Sequence, residues 1–162
     1  MFNVIENFLE KEILKTIKLE INKMHWYYVD FTAEKKDTSN FHFSHMIYEK
    51  NQVTSQRYFN TILLPILGNL NFKYLQRAKL NLYTKQNKQI KTAFHVDDDI
   101  KHTVALLSFN TNNGYTEFEN GKKIKSTENT LITFSGNLKH RSVNQTDTNK
   151  RINININFKD VF

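Results

Sequence analysis

The run RINININF at residues 151–158 constrains the fold more tightly than any other part of the chain. Successive side chains of an extended strand point to opposite sides. Ile152, Ile154, Ile156 and Phe158 therefore share one face, and Arg151, Asn153, Asn155 and Asn157 share the other. Such a strand needs an apolar partner on one side and either solvent or a polar pocket on the other. Residues 77–83 repeat the pattern, with Arg77, Lys79, Asn81 and Tyr83 opposite Ala78, Leu80 and Leu82. From about residue 76 onward, short segments rich in β-branched and aromatic residues alternate with Asn, Gly and Lys turns. They are QRAKLNLYT, KTAFHVD, HTVALLSFN, GYTEFEN, KKIKST, NTLITFSG, LKHRSVNQ and KRINININF. About eight short strands at this spacing indicate a sandwich or barrel.

The first part of the chain has a different texture. Phe8, Ile13, Leu14, Ile17 and Ile21 fall near one stripe, which predicts an amphipathic helix over 5–21. His25–Phe31 is aromatic and expected to be extended, and residues 32–40 (TAEKKDTSN) read as a polar loop. A second helix is expected over about 53–70, kinked or divided by Pro65. The expected architecture is one domain over 1–162, α+β but mainly β. A helical part reaches to about residue 72, and a jelly-roll body (a double-stranded β-helix) spans about 76–158. The N-terminal helices would pack on the isoleucine face of one sheet, leaving the polar face to line a pocket.

Composition removes several chemistries. There is no cysteine, so disulfides, zinc–thiolate sites and thiol nucleophiles are excluded, and metal binding falls to His, Asp and Glu. The first residues carry early acidic groups and no long apolar run, so neither a signal peptide nor a membrane span is expected there. A cytoplasmic protein is the expectation. The net charge of +7 admits nucleic acid as a partner, but the Lys/Arg clusters are short and scattered, as on a solvated lysine-rich surface. There is no Gly-rich phosphate loop, nucleophile elbow or membrane-active helix.

Within the β body, His95 and Asp97 stand two residues apart in FHVDDD and would project together from a strand. Six histidines and seven aspartates in 162 residues yield about 0.3 such pairs by chance, so the pair alone carries little. His140, on the later segment LKHRSVNQ, and Arg151 beyond it make the set more specific. Two imidazoles and a carboxylate can occupy one face of an octahedral ion and leave three positions open, as in non-haem Fe(II) oxygenases.

With His95-Val-Asp97, the glycine-bearing segment NNGYTEF (112–118), the distal His140 and then Arg151, the sequence resembles the 2-oxoglutarate/Fe(II)-dependent dioxygenases. The likeness is to their prolyl-4-hydroxylase-like branch, over about residues 76–158. The compact length looks like the small hydroxylase-like proteins of bacteria and their phages, which would place a phage-encoded chain in the host cytoplasm. The resemblance implies Fe(II) on His95, Asp97 and His140, with 2-oxoglutarate and O2 as co-substrates. Arg151 would pair with the distal carboxylate of 2-oxoglutarate, and Tyr83 and Asn81 would line the same pocket. The implied reaction hydroxylates a peptidyl prolyl or other amino-acid side chain and releases succinate and CO2. The family's tyrosine on the strand after the His-x-Asp pair corresponds here to Ser108, and a threonine often found after the arginine corresponds to Asn155. The primary substrate, peptide or small molecule, is not readable from the sequence.

Asp98 and Asp99 read as a solvated loop, and His102 as a loop or strand-edge residue. The run FHFSHMIY (41–48), with His42 and His45, reads as packing against the sheet or as a substrate wall, and Trp26, Tyr27 and Tyr28 are equally open. Two other functions compete. One is a non-catalytic jelly-roll protein that binds sugar or nucleic acid. The other is a cupin-like metalloenzyme, against which the His-x-Asp start and Arg151 both argue.

Overall fold

The computed structural model describes residues 2–30 and 41–160; the loop expected over 32–40 lies outside the described residues. In chain order the elements are β1 (Phe2–Ile5), α1 (Lys11–Asn22), β2 (Tyr27–Val29), β3 (His42–Glu49) and β4 (Gln52–Val53). A helical run follows: α2 (Gln56–Tyr58), a π-helical turn (Phe59–Leu63) and α3 (Leu64–Leu67). The body comprises β5 (Tyr74–Thr84), β6 (Thr103–Ser108), β7 (Tyr115–Phe118), β8 (Lys123–Lys125), β9 (Thr130–Ser135), β10 (His140–Val143) and β11 (Lys150–Lys159).

The large sheet runs β1-β9-β6-β11-β5-β3-β2, with β4 on β3, and its strand pairs are antiparallel. The small sheet runs β10-β7-β8. Segment 91–95, expected as a full strand, instead touches β10 at two points, Lys91 with Val143 and His95 with His140. The two sheets face one another as the halves of a jelly roll, the expected fold.

The isoleucine face of β11 decides where the helices go. Ile152, Ile154, Ile156 and Phe158 join Leu14, Ile17 and Ile21 of α1 and Ile62, Leu63 and Ile66 of the helical run in one apolar cluster. Val104, Phe118, Ile132 and Phe134 form a smaller cluster that links the sheets. The polar face of β11 is left toward the cleft between the sheets. Among the described residues, no helix is long and apolar enough to cross a membrane.

Three further expectations are corrected. The helix predicted from residue 5 starts at Lys11, because Phe2–Ile5 pair with β9 at the sheet edge. The chain turns at Asn7 (φ 52°), and Asn129 clamps the turn by accepting from Leu9 N and donating to Leu9 O. Helical periodicity cannot register a partner strand more than a hundred residues away. The second helix covers 56–67 rather than 53–70, and Gln52–Val53 form β4 instead. Pro65, which has no N–H to donate, follows a π-helical register in which Leu64 N donates to Phe59 O, so the run is adjusted rather than broken. The part before residue 72 is also not purely helical, since it contributes β1 to β4.

Candidate metal centre

The cleft between the sheets is built on the pairing of β11 with β5. Arg151 stands opposite Tyr83, Asn153 opposite Asn81, and Asn155 opposite Lys79, so the polar faces of the two alternating strands coincide. A one-residue slip would turn the isoleucines into the cleft. Across from this floor, His95 and His140 exchange backbone hydrogen bonds, each N–H donating to the other's carbonyl at 3.0 Å. That reciprocal pair brings together two histidines 45 positions apart. Asp97 lies just beyond the bridged segment, in irregular chain rather than on the strand expected for it.

His95, Asp97 and His140 offer ligand atoms that all lie within 4.8 Å of one another. Asp97 Oδ1 is 3.7 Å from His95 Nε2 and 3.9 Å from His140 Nε2. His140 Nδ1 donates to Leu138 O at 3.0 Å, and His95 Nδ1 to Ala93 O at 3.3 Å. A carbonyl can only accept, so both protons sit on Nδ1 and both Nε2 lone pairs face the carboxylate. Burial depresses the pKa of His140, with Asp97 opposing, which keeps this imidazole neutral and able to ligate.

The other oxygen of Asp97 is held from behind. Asn155 Nδ2 donates to Oδ2 at 2.8 Å, and Arg77 Nη2 lies 3.4 Å from the same atom. Burial by itself would raise the Asp97 pKa. His95 and His140, in so far as they carry a proton on Nε2, together with Arg77 and Asn155 outweigh it, and the carboxyl stays ionised far below its usual range. Two imidazole nitrogens and one charged oxygen, each oriented by a second hydrogen bond, suit a divalent ion with open positions.

Arg151 lies deeper on the same face and is 2% exposed. Its Nε donates to Ser126 Oγ at 2.8 Å, and its Nη1 to Ser142 Oγ at 2.6 Å and to Val143 O at 3.1 Å. The guanidinium sits 5.3 Å from the Tyr83 ring centre, and the Tyr83 ring stacks on His42. All these partners are neutral, so among the described residues this buried cation has no counter-charge, a costly arrangement unless an anion completes it. Gly114, in the NNGYTEF segment, makes room for it: a Cβ there would lie 3.1 Å from Arg151 Cδ and 2.9 Å from Val143 O.

Each residue singled out in the sequence can now be placed. His95, Asp97, His140, Arg151, Tyr83 and Asn81 all line one cleft. Asn81 donates to Asn153 Oδ1 at 3.0 Å. From β6 the cleft residue is Leu106, not Ser108, and the hydroxyls bonded to Arg151 are those of Ser126 and Ser142, with the Tyr83 ring beside the guanidinium. The 41–48 run is β3 and divides its histidines. His42 reaches the cleft, while His45 Nδ1 bonds His25 O and its ring meets Tyr58 on the helix side. Asp98 and Asp99 are exposed. His102 is buried just ahead of β6 and bonds Ile100 O and Asn157. Arg77, Lys79 and Ser126 are cleft or Arg151 contacts that the sequence reading left without a role. The first two were visible as members of the polar face of 77–83, whereas Ser126 carried no local signal.

No family model and no curated protein matches this chain by sequence. Its structure is similar to several solved ones. A 2OG-Fe(II) oxygenase family oxidoreductase from Burkholderia pseudomallei superposes with a TM-score of 0.77 at 13% identity, covering 98% of this chain and 84% of the other. A Pseudomonas putida prolyl-4-hydroxylase gives 0.67 at 15% identity, covering 98% and 92%. A prolyl hydroxylase from Trichoplax adhaerens, solved with a hypoxia inducible factor peptide fragment, gives 0.66 at 14% identity, covering 98% and 83%. The chain has the double-stranded β-helix fold of the 2-oxoglutarate/Fe(II) oxygenases, prolyl hydroxylases among them.

Proposed function

We propose that this protein is an Fe(II)- and 2-oxoglutarate-dependent dioxygenase that hydroxylates an amino-acid side chain, peptidyl proline being one candidate. The observation that carries this reading is Arg151: a buried guanidinium without a counter-charge among the described residues, in the cleft that also holds two oriented imidazoles and an ionised carboxylate. The iron would be held by His95 Nε2, His140 Nε2 and Asp97 Oδ1, and with 2-oxoglutarate and O2 it would supply the oxidant, releasing succinate and CO2. The remaining tasks belong to the chain. Arg151, held through Nε and Nη1 by Ser126, Ser142 and the Val143 carbonyl, receives the distal carboxylate of the co-substrate through its Nη2. Tyr83, kept protonated by burial against the opposing pull of Arg151, offers a hydroxyl beside it. Asn155 and Arg77 hold Asp97 so that one oxygen faces the ion. Leu106 supplies an apolar wall.

The test is anaerobic addition of 2-oxoglutarate to the Fe(II)-loaded protein, read by the metal-to-ligand charge-transfer band. A band is expected, together with succinate formation in air. The His95→Ala, Asp97→Ala double variant should lose both, and Arg151→Ala should mainly raise the 2-oxoglutarate KM. Full turnover by the double variant sinks the assignment, and a non-catalytic binder predicts no band at all.

A further inference from the structure

Four cations line the cleft: Arg77, Lys79, Arg141 and Arg151. Three are accounted for. Arg141 Nη2 meets Glu117 at 2.7 Å, Arg77 meets Asp97, and Arg151 awaits the co-substrate. Lys79 is half-buried and has no ion-pair partner among the described residues. Burial and Arg77 lower its pKa, and Asp97 and Glu49 favour its charged form.

Its position is specific. Lys79 is opposite Asn155, the residue that holds Asp97, so it stands level with the metal ligands. Arg151 is opposite Tyr83, four residues or about 13 Å farther along the strand. The void enclosed in the cleft is about 60 Å³. That is several times what one ordered water needs, and it suits an ion and a slender chelator better than a bulky substrate. A groove of about 600 Å³ adjoins it, with Arg77 as the shared wall and Gln76, Asp98, Ile100 and Asn157 among its lining. Gln76 Oε1, Arg77 Nε and Asn157 Oδ1 are buried there without hydrogen-bond partners among the described residues. A ligand reaching the ion from this groove passes Arg77, already engaged, and then Lys79.

We propose that Lys79 anchors a carboxylate of the primary substrate, whose body lies in the groove beyond Arg77. This rests on the dioxygenase reading and narrows its substrate to an amino acid with a free carboxylate or a peptide presenting an acidic side chain. One compact ammonium, beside an Arg77 already paired with Asp97, suits a monoanion, whereas a phosphate dianion is better met by a guanidinium fork.

The probes are L-proline, its primary amide, a blocked pentapeptide with one central aspartate, the same peptide with asparagine, and inorganic phosphate. They are titrated calorimetrically into the anaerobic Fe(II)·2-oxoglutarate protein and into the metal-free protein. Saturable binding of at least one carboxylate probe is expected, with its amide counterpart at least tenfold weaker. Lys79→Met should lose tenfold or more for that probe, Lys79→Arg should restore it, and 2-oxoglutarate affinity should stay within threefold. Lys79→Gln serves as a second neutral variant, and thermal melts confirm folding. The two carboxylate arms separate a free amino acid from an acidic peptide. Three results overturn the proposal: no carboxylate preference in the unaltered chain, equal binding by Lys79→Met, or phosphate binding tenfold tighter than any carboxylate. A tenfold loss of 2-oxoglutarate affinity in Lys79→Met also overturns it, by moving Lys79 into the co-substrate site. Failure of the dioxygenase reading looks different, because the charge-transfer band is then missing while carboxylate binding to the metal-free chain still reports on Lys79.

Discussion

Asn155 donates its side-chain N–H to Asp97 Oδ2 at 2.8 Å, and that one bond orients the carboxylate so that Oδ1 faces both imidazoles. Carboxylate ligands held in this way lose affinity when the supporting group is removed, typically 10- to 100-fold. Asn155→Ala is therefore expected to weaken Fe(II) or Co(II) binding by about that factor. Melting temperature should move little beyond the loss of one buried amide. Metal titration followed by absorbance or calorimetry checks this, and an unchanged metal Kd would assign the orientation of Asp97 to Arg77 alone.

Gly114 and Gly121 are expected to respond in opposite ways to a side chain. At Gly114 a Cβ would come within 2.8 Å of Asn112 Oδ1 and 2.9 Å of the Val143 carbonyl, which is backbone and cannot yield. Gly114→Ala should cost about 1–3 kcal/mol and, by displacing Arg151, weaken 2-oxoglutarate binding severalfold. Gly121 has φ +84° with nothing within 4 Å, so Gly121→Asn, which tolerates that conformation, should cost under about 1 kcal/mol. Denaturant unfolding and co-substrate titration of the two variants read both effects.

Glu117 gives a pH-dependent prediction away from the metal ligands. It is 7% exposed and takes Arg141 Nε at 2.8 Å, with Lys91 Nζ at 3.3 Å. Burial would raise its pKa, but Arg141 and Lys91 outweigh it and hold the carboxyl below its ordinary 4.5. A depressed carboxyl stabilises the fold above the unfolded value and loses that contribution as pH falls through the folded one. Glu117→Gln should then destabilise the protein by on the order of 2 kcal/mol at pH 7. The gap between the two chains should narrow as pH falls below the ordinary 4.5 and close once pH has passed the lower folded value. Parallel unfolding curves at neutral and acid pH decide it.

Local pattern carried much of this protein. The alternation in 151–158 and 77–83 correctly separated a helix-packed face from a cleft face, because period-2 order needs no knowledge of the partner. The expected helices start at Ile5 and Val53, yet both residues end short strands whose partners lie remote in sequence or across a turn. The resemblance matches the family's tyrosine to Ser108, whereas the residue of β6 that lines the cleft is Leu106.

From the sequence by itself came the β-rich jelly roll with helices on one sheet, and the ordered set His95, Asp97, His140 and Arg151. Those follow from residue type and spacing along single segments. Only the tertiary structure decided that Asn155 and Arg77 grip one oxygen of Asp97, that Ser126 and Ser142 hold Arg151, and that Lys79, without an ion-pair partner among the described residues, stands level with the His95, Asp97 and His140 cluster. Each of these depends on the register between strands and on the reciprocal bonds that join residue 95 to residue 140. Register is set by the packing of the whole isoleucine face, not by any one segment.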